Sequence, residues 1–252
     1  MGKEKTRNLL IVGQTGGGKS TLANVLSGIV DSEEHSISEN ENFQKKDFEW
    51  RGTKYRVVDT IGKEVTYEKM GELIHLIPEG LNQVLLVIDG KFMIKEKIGL
   101  SELFRKLIFE DGIAEYITIV RTKFSNFKNK DKCEADKKQL HNENENIANI
   151  VRSCRDVIYV DNPPTNIQII DEEDEETVIT NKKIRDRSRK IILDYLDKAC
   201  QVDYFRLKTW DQIRKPIAEY LESNCEDVPP ELEKNKEVET LIKITESFCT
   251  IT

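Results

Sequence analysis

The stretch LLIVGQTGGGKST, residues 9–21, joins a short apolar run to a loop in which four of six positions are glycine. The run Leu9–Val12 is entirely apolar, which is typical of a strand buried on both faces. Glycine lets the loop backbone adopt conformations that other residues avoid. Because the cation Lys19 follows at once, we expect the loop to curl around an anion between a buried strand and a helix.

The spacing Gly13-x-x-x-x-Gly18-Lys19-Ser20 is the pattern of a phosphate-binding loop. Lys19 is predicted to bridge the β- and γ-phosphates, Ser20 to ligate Mg²⁺ and Thr21 to contact the α-phosphate. The predicted phosphate-binding residues are Gly13, Gln14, Thr15, Gly16, Gly17, Gly18, Lys19, Ser20 and Thr21. A glycine turn that only packs a strand on a helix is the alternative, and the order strand, loop, helix favours the nucleotide.

Composition narrows the class of protein. The 252 residues suit one large domain with appendages, and 34% of them are charged, with a net charge of -7. An acidic surface argues against general nucleic-acid binding. The five cysteines are an odd number without a C-x-x-C pair, which favours reduced thiols in the cytoplasm. No apolar run approaches the roughly 20 residues of a membrane span, so membrane contact stays open but has no support from a transmembrane segment.

Strands and helices are predicted to alternate along the first two thirds of the chain. Strands are expected at 8–12, 43–50, 54–59, 83–89, 116–120 and 157–160. Helices are expected at 19–27, 67–77, 95–109, 132–151 and, further on, 180–201. This order predicts an α/β fold whose central sheet is mostly parallel, with helices on both faces. The short turn between the second and third strands predicts a hairpin, hence one antiparallel edge strand.

One domain and a C-terminal extension are expected, with the boundary after a proline pair. Residues 1–165 form the predicted nucleotide-binding domain, and residues 166–252 form a helical extension. The extension opens with an acidic block, DEEDEE at 171–176, which we place before the long helix. An amphipathic helix is expected at 231–248.

Two apolar strands end in an aspartate that is a candidate for the metal site. Asp59 opens the sequence Asp59-Thr60-Ile61-Gly62, the D-x-x-G pattern in which the aspartate orients Mg²⁺ and the glycine N–H senses the γ-phosphate. Asp89 is followed by Gly90, not by the glutamate that many ATPases place there. We therefore assign Asp59 to the metal and Asp89 to a position beside the site.

Three stretches together resemble one family. IVGQTGGGKSTLANVLSG, WRGTKYRVVDTIG and QVLLVIDGKFMIKEK are similar to the immunity-associated GTPases of the GIMAP (IAN, or AIG-type) family, which is related to septins and chloroplast import receptor GTPases. The resemblance covers roughly residues 7–165. It implies a P-loop GTPase domain, Mg²⁺, GTP and GDP as ligands, slow hydrolysis, and GTP-dependent dimers or filaments on membranes.

The switch loops depart from the pattern that the resemblance implies. Ser38 falls where the family has a threonine that reaches Mg²⁺ and the γ-phosphate, and Ser36 is the second choice. Lys63 follows Gly62 where fast small GTPases have a glutamine that orients water, which implies slow or partner-assisted turnover. The predicted catalytic residues are Lys19, Gly62 and Ser38, and the predicted Mg²⁺ residues are Ser20, Asp59 and Ser38.

The base-reading motif is incomplete. The family pattern N/T-K-x-D reads here Thr122-Lys123-Phe124-Ser125, without the aspartate that accepts hydrogen bonds from guanine N1 and N2. Leaving these donors unpaired would cost on the order of 1–3 kcal/mol. Thr122 and Lys123 are still predicted to frame the base, and Asn162 lies where the family has a residue near guanine.

Three classes of function stay open at this point. The first is a GTP-controlled switch or assembly protein that forms a homodimer or oligomer through its nucleotide face. The second is an ATP-using P-loop enzyme, which the missing base-reading aspartate favours. The third is an interaction module that binds nucleotide without hydrolysing it.

Overall fold

The computed structural model describes residues 5–13, 16–29, 43–60, 73, 76–89, 112–143 and 145–206. The predicted helix at 95–109 and the amphipathic helix at 231–248 lie outside these residues. So do most of the predicted loop at 29–42 and most of the predicted helix at 67–77.

Six strands form a single sheet in the order β2-β3-β1-β4-β5-β6. Among the strands of the described residues, only β2 is antiparallel, paired with β3 in a hairpin, and the other neighbouring pairs are parallel. The strands are β1 Arg7–Gly13, β2 Phe43–Trp50, β3 Thr53–Thr60, β4 Gln83–Ile88, β5 Ile117–Arg121 and β6 Asp156–Tyr159. The mostly parallel sheet with one antiparallel edge strand is thus confirmed, and all strand predictions agree with the structure to within two residues.

The helices confirm one prediction and correct two. Helix α1, Lys19–Ser27, ends at the left-handed Gly28 as expected. The single helix predicted at 132–151 is wrong, because the structure has α2, Lys130–Glu143, and then α3, Glu145–Ser153. The two helices pack against each other, and this folding back buries Leu140 and Val151 in one apolar cluster.

The acidic block at 171–176 is not a separate segment before the last helix. Helix α4 spans Glu172–Ala199, so it begins eight residues before the predicted start at 180. Asp171 is its N-cap and accepts a hydrogen bond from the N–H of Asp174 at 3.0 Å. Carboxylates in a first turn are stabilised by the positive end of the helix dipole. The prediction failed because the apolar stripe of the helix starts only at Val178.

Apolar side chains cover both faces of the sheet. Alternate residues of β1 point to opposite faces, so Leu9 and Ile11 belong to one core and Leu10 to another. The first core is covered by α1 and α4, and its helical members include Leu22, Leu26, Ile192, Leu193 and Leu196. Helix α4 lies beyond the predicted boundary at residue 165 yet packs on the first core; the boundary itself stays a prediction. None of the described helices has an apolar stretch suited to crossing a lipid bilayer.

Strand order places the phosphate loop at the centre of the sheet. Strand β1 lies between β3 and β4, so its carboxyl end stands beside the ends of two parallel neighbours. In open parallel sheets, ligands bind at this edge. Asp59 at the end of β3 and Asp89 just after β4 therefore flank the loop that leaves β1.

Candidate nucleotide site

The backbone of the loop depends on glycine at its first position. Gly13 has φ +144°, and a Cβ built on it would lie 2.3 Å from the carbonyl oxygen of Val87 in β4. Any side chain would therefore collide with the backbone of the neighbouring strand. Gly16 and Gly18 also have positive φ, at +79° and +91°. Gln14 and Thr15 lie outside the described residues.

The loop runs directly into the N-terminus of α1. Gly18 is the N-cap residue and has no side chain with which to cap the first amides of the helix. Those N–H groups and the positive end of the dipole can accept an anion. Lys19 follows with only 7% of its surface exposed, and Thr21 lies in the same first turn. A buried ammonium at a helix N-terminus suits a ligand with several negative charges.

Ser20 and Asp59 meet although 39 positions separate them in the chain. The Ser20 hydroxyl donates to Asp59 Oδ2 at 2.6 Å. Asp59 is completely buried, and burial raises the pKa of its carboxyl, while the Ser20 hydrogen bond and the nearby Lys19 act in the opposite direction. The other carboxylate oxygen, Oδ1, is buried and has no hydrogen-bond partner among the described residues.

Thr122 and Lys123 are tied to the phosphate loop by side-chain hydrogen bonds. Thr122 Oγ1 donates to the carbonyl oxygen of Gly17 at 2.6 Å, and Lys123 Nζ donates to that of Gly16 at 2.8 Å. Lys123 has φ +53° and also pairs with Asp89 Oδ2 at 2.5 Å. The end of β5, the end of β4 and the phosphate loop therefore form one connected unit.

Asn162 lies on the far side of the same edge. It follows β6, and the N–H of Phe124 donates to the Val160 carbonyl oxygen at 3.2 Å, which joins the segment after β6 to the segment after β5. Both polar atoms of the Asn162 side chain, Oδ1 and Nδ2, are buried and lack a hydrogen-bond partner in the described part of the chain. An unpaired buried amide is costly, so this position suits a polar ligand.

The predicted switch residues Ser38 and Gly62 lie outside the described residues, and so do Ser36 and Lys63. The structure therefore brings together the described members of the predicted site: Gly13, Gly16, Gly17, Gly18, Lys19, Ser20, Thr21, Asp59, Thr122, Lys123 and Asn162.

Comparison with known proteins identifies the family. The model of the AIG1 family matches residues 7–188, which is most of the chain. The chain belongs to the AIG1 family. This membership confirms the family resemblance and supports a GTP-binding G domain with the P-loop GTPase fold. A comparison with curated protein sequences gives no significant match.

Solved structures with a similar fold include several GTPases. LeoA, a bacterial dynamin GTPase from ETEC, is 14% identical, with coverage of 78% of this chain and 36% of LeoA and a TM-score of 0.49. Toc33 from Arabidopsis thaliana, in complex with GDP and Mg²⁺, is 16% identical, with coverage of 79% and 88% and a TM-score of 0.46. Elongation factor SelB from Methanococcus maripaludis is 19% identical, with coverage of 77% and 34% and a TM-score of 0.39. This AIG1-family chain thus spans about a third of LeoA and of SelB.

The residues around Asp59 fit a magnesium ion. Mg²⁺ prefers oxygen ligands, keeps several waters and is usually held by one or two protein groups together with phosphate oxygens. The Ser20 hydroxyl can be a direct ligand, and the unpaired Oδ1 of Asp59 can accept a hydrogen bond from a metal-bound water. The buried, partly unsatisfied carboxylate is explained if a hydrated cation lies against it.

Asp59→Asn is expected to weaken Mg²⁺ binding to the nucleotide complex by about 10–100-fold, the usual loss for a group that orients a metal ligand. The amide keeps the shape of the side chain but loses the charge. Calorimetric titration of Mg²⁺ into the protein saturated with GDP measures the change. Asp47→Asn is the matched control, because Asp47 pairs with Arg56 on the exposed hairpin. Equal Mg²⁺ affinities in the Asp59 variant and the wild type would contradict this assignment.

Sequence reasoning missed one member of the site. Lys46 of β2 donates a hydrogen bond to Asn24 Oδ1 in α1, and its charge favours the ionised form of Asp59. The predicted hairpin brings Lys46 close to Asp59 along the sheet, because Gln44 pairs with Asp59 and Lys46 with Val57. Only a known packing of α1 on the hairpin would have shown that Lys46 turns toward the site.

Proposed function

We propose that this AIG1-family protein is a GTP-controlled switch or assembly module that hydrolyses GTP slowly. The observation that carries the proposal is the hydrogen bond from Ser20 to the buried Asp59, directly after the phosphate loop. A glycine loop that served only for packing would need neither a buried cation nor a buried carboxylate with an unpaired oxygen.

The triphosphate is proposed to lie along the phosphate loop, with Lys19 between the β- and γ-phosphates. The base is proposed to lie between Asn162 and the Thr122–Lys123 segment. The hydrogen bonds of Thr122 and Lys123 to Gly17 and Gly16 hold that segment at a set distance from the loop. Because the two sites belong to one connected unit, a nucleoside triphosphate fits better than isolated phosphate.

Hydrolysis is proposed to proceed by attack of a water oxygen on the γ-phosphorus. The bond to the β–γ bridging oxygen breaks, GDP leaves with the electron pair, and the water proton passes to the released phosphate. Lys19 stabilises the charge that develops on the transferred group and on the leaving oxygen. When bound, Mg²⁺ supplies further charge neutralisation at those phosphate oxygens, held through Ser20 and Asp59.

Slow turnover is proposed because the chain has no glutamine after Gly62. Lys63 carries no acceptor with which to orient an attacking water. Ser38 is proposed to replace the switch threonine, and a partner subunit is proposed to complete the site. Residues 29–42 and 60–66 are proposed to contact GTP and to form a dimer face, and residues 166–252 are proposed to transmit the change.

Two further parts of the proposal concern organisation and location. We propose that residues 1–165 are the G domain and that residues 166–252 are a helical extension that begins on the G domain through α4. A cytoplasmic location is also proposed, since Cys133, Cys154 and Cys200, the described cysteines, are free thiols.

The wild-type protein is expected to hydrolyse GTP below about one turnover per minute, because intrinsic GTPases without an inserted catalytic group are this slow. The rate per protomer should rise with protein concentration if dimers form on the nucleotide face. Phosphate release measured over a hundredfold concentration range, with the molar mass from light scattering in GTP and in GDP, tests both statements. A constant rate and a constant mass would contradict the dimer.

An ATP-using enzyme is the second candidate, favoured by Ser125 in place of the base-reading aspartate. Calorimetric titration of GTP, GDP and ATP, each with Mg²⁺, separates the two candidates. Tighter binding of ATP than of GTP would overturn guanine as the base. Stable GTP binding without any phosphate release at any concentration would instead indicate a module that does not hydrolyse its ligand.

A further inference from the structure

The proposed base site lacks the carboxylate that the N/T-K-x-D pattern places at position 125. Guanine presents donors at N1 and N2, and a carboxylate that accepts from both distinguishes it from adenine. Ser125 occupies the position of that carboxylate and lies exposed in a turn. A serine hydroxyl is too short and too weak an acceptor to take both hydrogen bonds at once. A guanine site in this chain therefore needs a carboxylate from another segment.

Asp161 is a carboxylate on the facing segment. It follows Val160, whose carbonyl oxygen accepts the hydrogen bond from Phe124 N–H at 3.2 Å, and it precedes Asn162. Asp161 is thus one residue from the contact that joins the segment after β6 to the base-reading segment after β5. Because β5 and β6 are parallel neighbours, Asp161 lies at the same edge of the sheet as Thr122 and Lys123.

The backbone of Asp161 is anchored from the opposite side by α4. Its N–H donates to Ser188 Oγ at 3.1 Å, and the Ser188 hydroxyl donates to the Asp161 carbonyl oxygen at 2.5 Å. Ser188 is completely buried. These two hydrogen bonds with one buried side chain fix the backbone of Asp161 on both sides of its Cα, so the residue is positioned before any ligand arrives.

The Asp161 carboxylate has no cation to neutralise it among the described residues, unlike Asp47 and Asp136, which pair with Arg56 and Arg121. The side chain is partly buried, and burial raises the pKa of its carboxyl, with the Asn162 N–H as the opposing influence. The side-chain amide of the adjacent Asn162 is buried and finds no hydrogen-bond partner among the residues that the structure describes. At this edge, among the described residues, a carboxylate without a neutralising cation therefore lies next to a buried amide without a hydrogen-bond partner.

We propose that Asp161 reads guanine in place of the missing aspartate at position 125. Its carboxylate accepts hydrogen bonds from N1 and N2, and the Asn162 amide donates to O6. The inference rests on the proposed nucleotide site and adds to it the group that selects the base. In this proposal the carboxylate that reads guanine follows β6 instead of β5, and it contacts the same edge of the guanine ring.

Wild-type protein is then expected to prefer GTP to ITP by on the order of tenfold, because inosine lacks the N2 donors and leaves the carboxylate partly unpaired. XTP should bind still more weakly, since its O2 would face a carboxylate oxygen. Asp161→Asn should reverse the order: the amide donates to xanthine O2, so XTP affinity rises at least tenfold while GTP affinity falls at least tenfold.

The experiment is calorimetric titration of GTP, ITP, XTP and ATP, each with Mg²⁺, into the full chain and its variants. Asp156→Asn makes the same change at the opposite end of β6, where Asp156 accepts from its neighbour Val157 N–H. Its four affinities are expected to stay within about twofold of wild type. Thermal unfolding of each variant shows whether the fold is retained.

The proposal is overturned if Asp161→Asn folds and keeps the wild-type order of GTP over XTP. If that variant does not fold, the wild-type ratio decides: equal affinities for GTP and ITP would exclude a carboxylate at N2. Either result is compatible with GTP binding at the phosphate loop, so it rejects only the assignment of Asp161 as the residue that selects guanine. Wild-type protein that binds none of the four nucleotides would reject the proposed function as well.

Discussion

Lys19→Ala is expected to weaken GTP binding at least a hundredfold while the protein stays folded. Only 7% of Lys19 is exposed, so the hydrogen bonds proposed between it and the phosphates would form with little competition from water. Each charge-assisted hydrogen bond contributes about 1.5–3 kcal/mol, and two of them account for roughly two powers of ten in affinity. Calorimetric titration of GTP with Mg²⁺ measures the loss.

The matched control for this variant is Lys182→Ala. Lys182 is exposed on α4 and far along the chain from the loop, so the same change of charge should leave GTP affinity within about twofold of wild type. Circular dichroism of both variants checks the fold. Unchanged GTP affinity in Lys19→Ala would show that the glycine loop is not where the triphosphate binds.

Gly13→Ala is expected to lower the free energy of unfolding by about 3 kcal/mol, which corresponds to a fall in Tm of roughly 6–12 °C. The new Cβ would lie 2.3 Å from the Val87 carbonyl oxygen, and β1 and β4 would have to separate. A backbone atom in the middle of a sheet cannot move aside as a flexible side chain can. Urea unfolding followed by circular dichroism gives the change directly.

Gly112→Ala separates the two causes of that loss. Gly112 has φ +114°, but no atom of the described residues lies within 4 Å of a Cβ built there, so the backbone conformation is the penalty to be expected. The expected cost is about 1 kcal/mol. If both variants lost the same stability, the close approach of β1 to β4 would have no energetic role.

The central strands were predictable because each is a short, continuous run of apolar residues. The apolar runs at Leu9–Val12 and Val84–Ile88 could hardly lie anywhere but in the middle of a sheet. The last two helical segments were harder to predict, because their charged residues dominate the local pattern. The acidic start of α4 is stabilised by its N-cap and dipole rather than by apolar contacts, so hydrophobic periodicity gave no sign of it.

The phosphate loop could be recognised from its letters alone, because a strand, four glycines and a lysine act through backbone geometry and one local charge. Its partners could not be assigned in this way. Ser20 reaches Asp59, and Lys123 reaches Gly16 and Asp89, only because the strand order β3-β1-β4-β5 gathers their carboxyl ends at one edge. Whether Asp161 faces the base-reading segment depends in the same way on β6 pairing with β5 and on Ser188 of α4. Such contacts join residues tens of positions apart, so they are properties of the packed sheet and of no single stretch of chain.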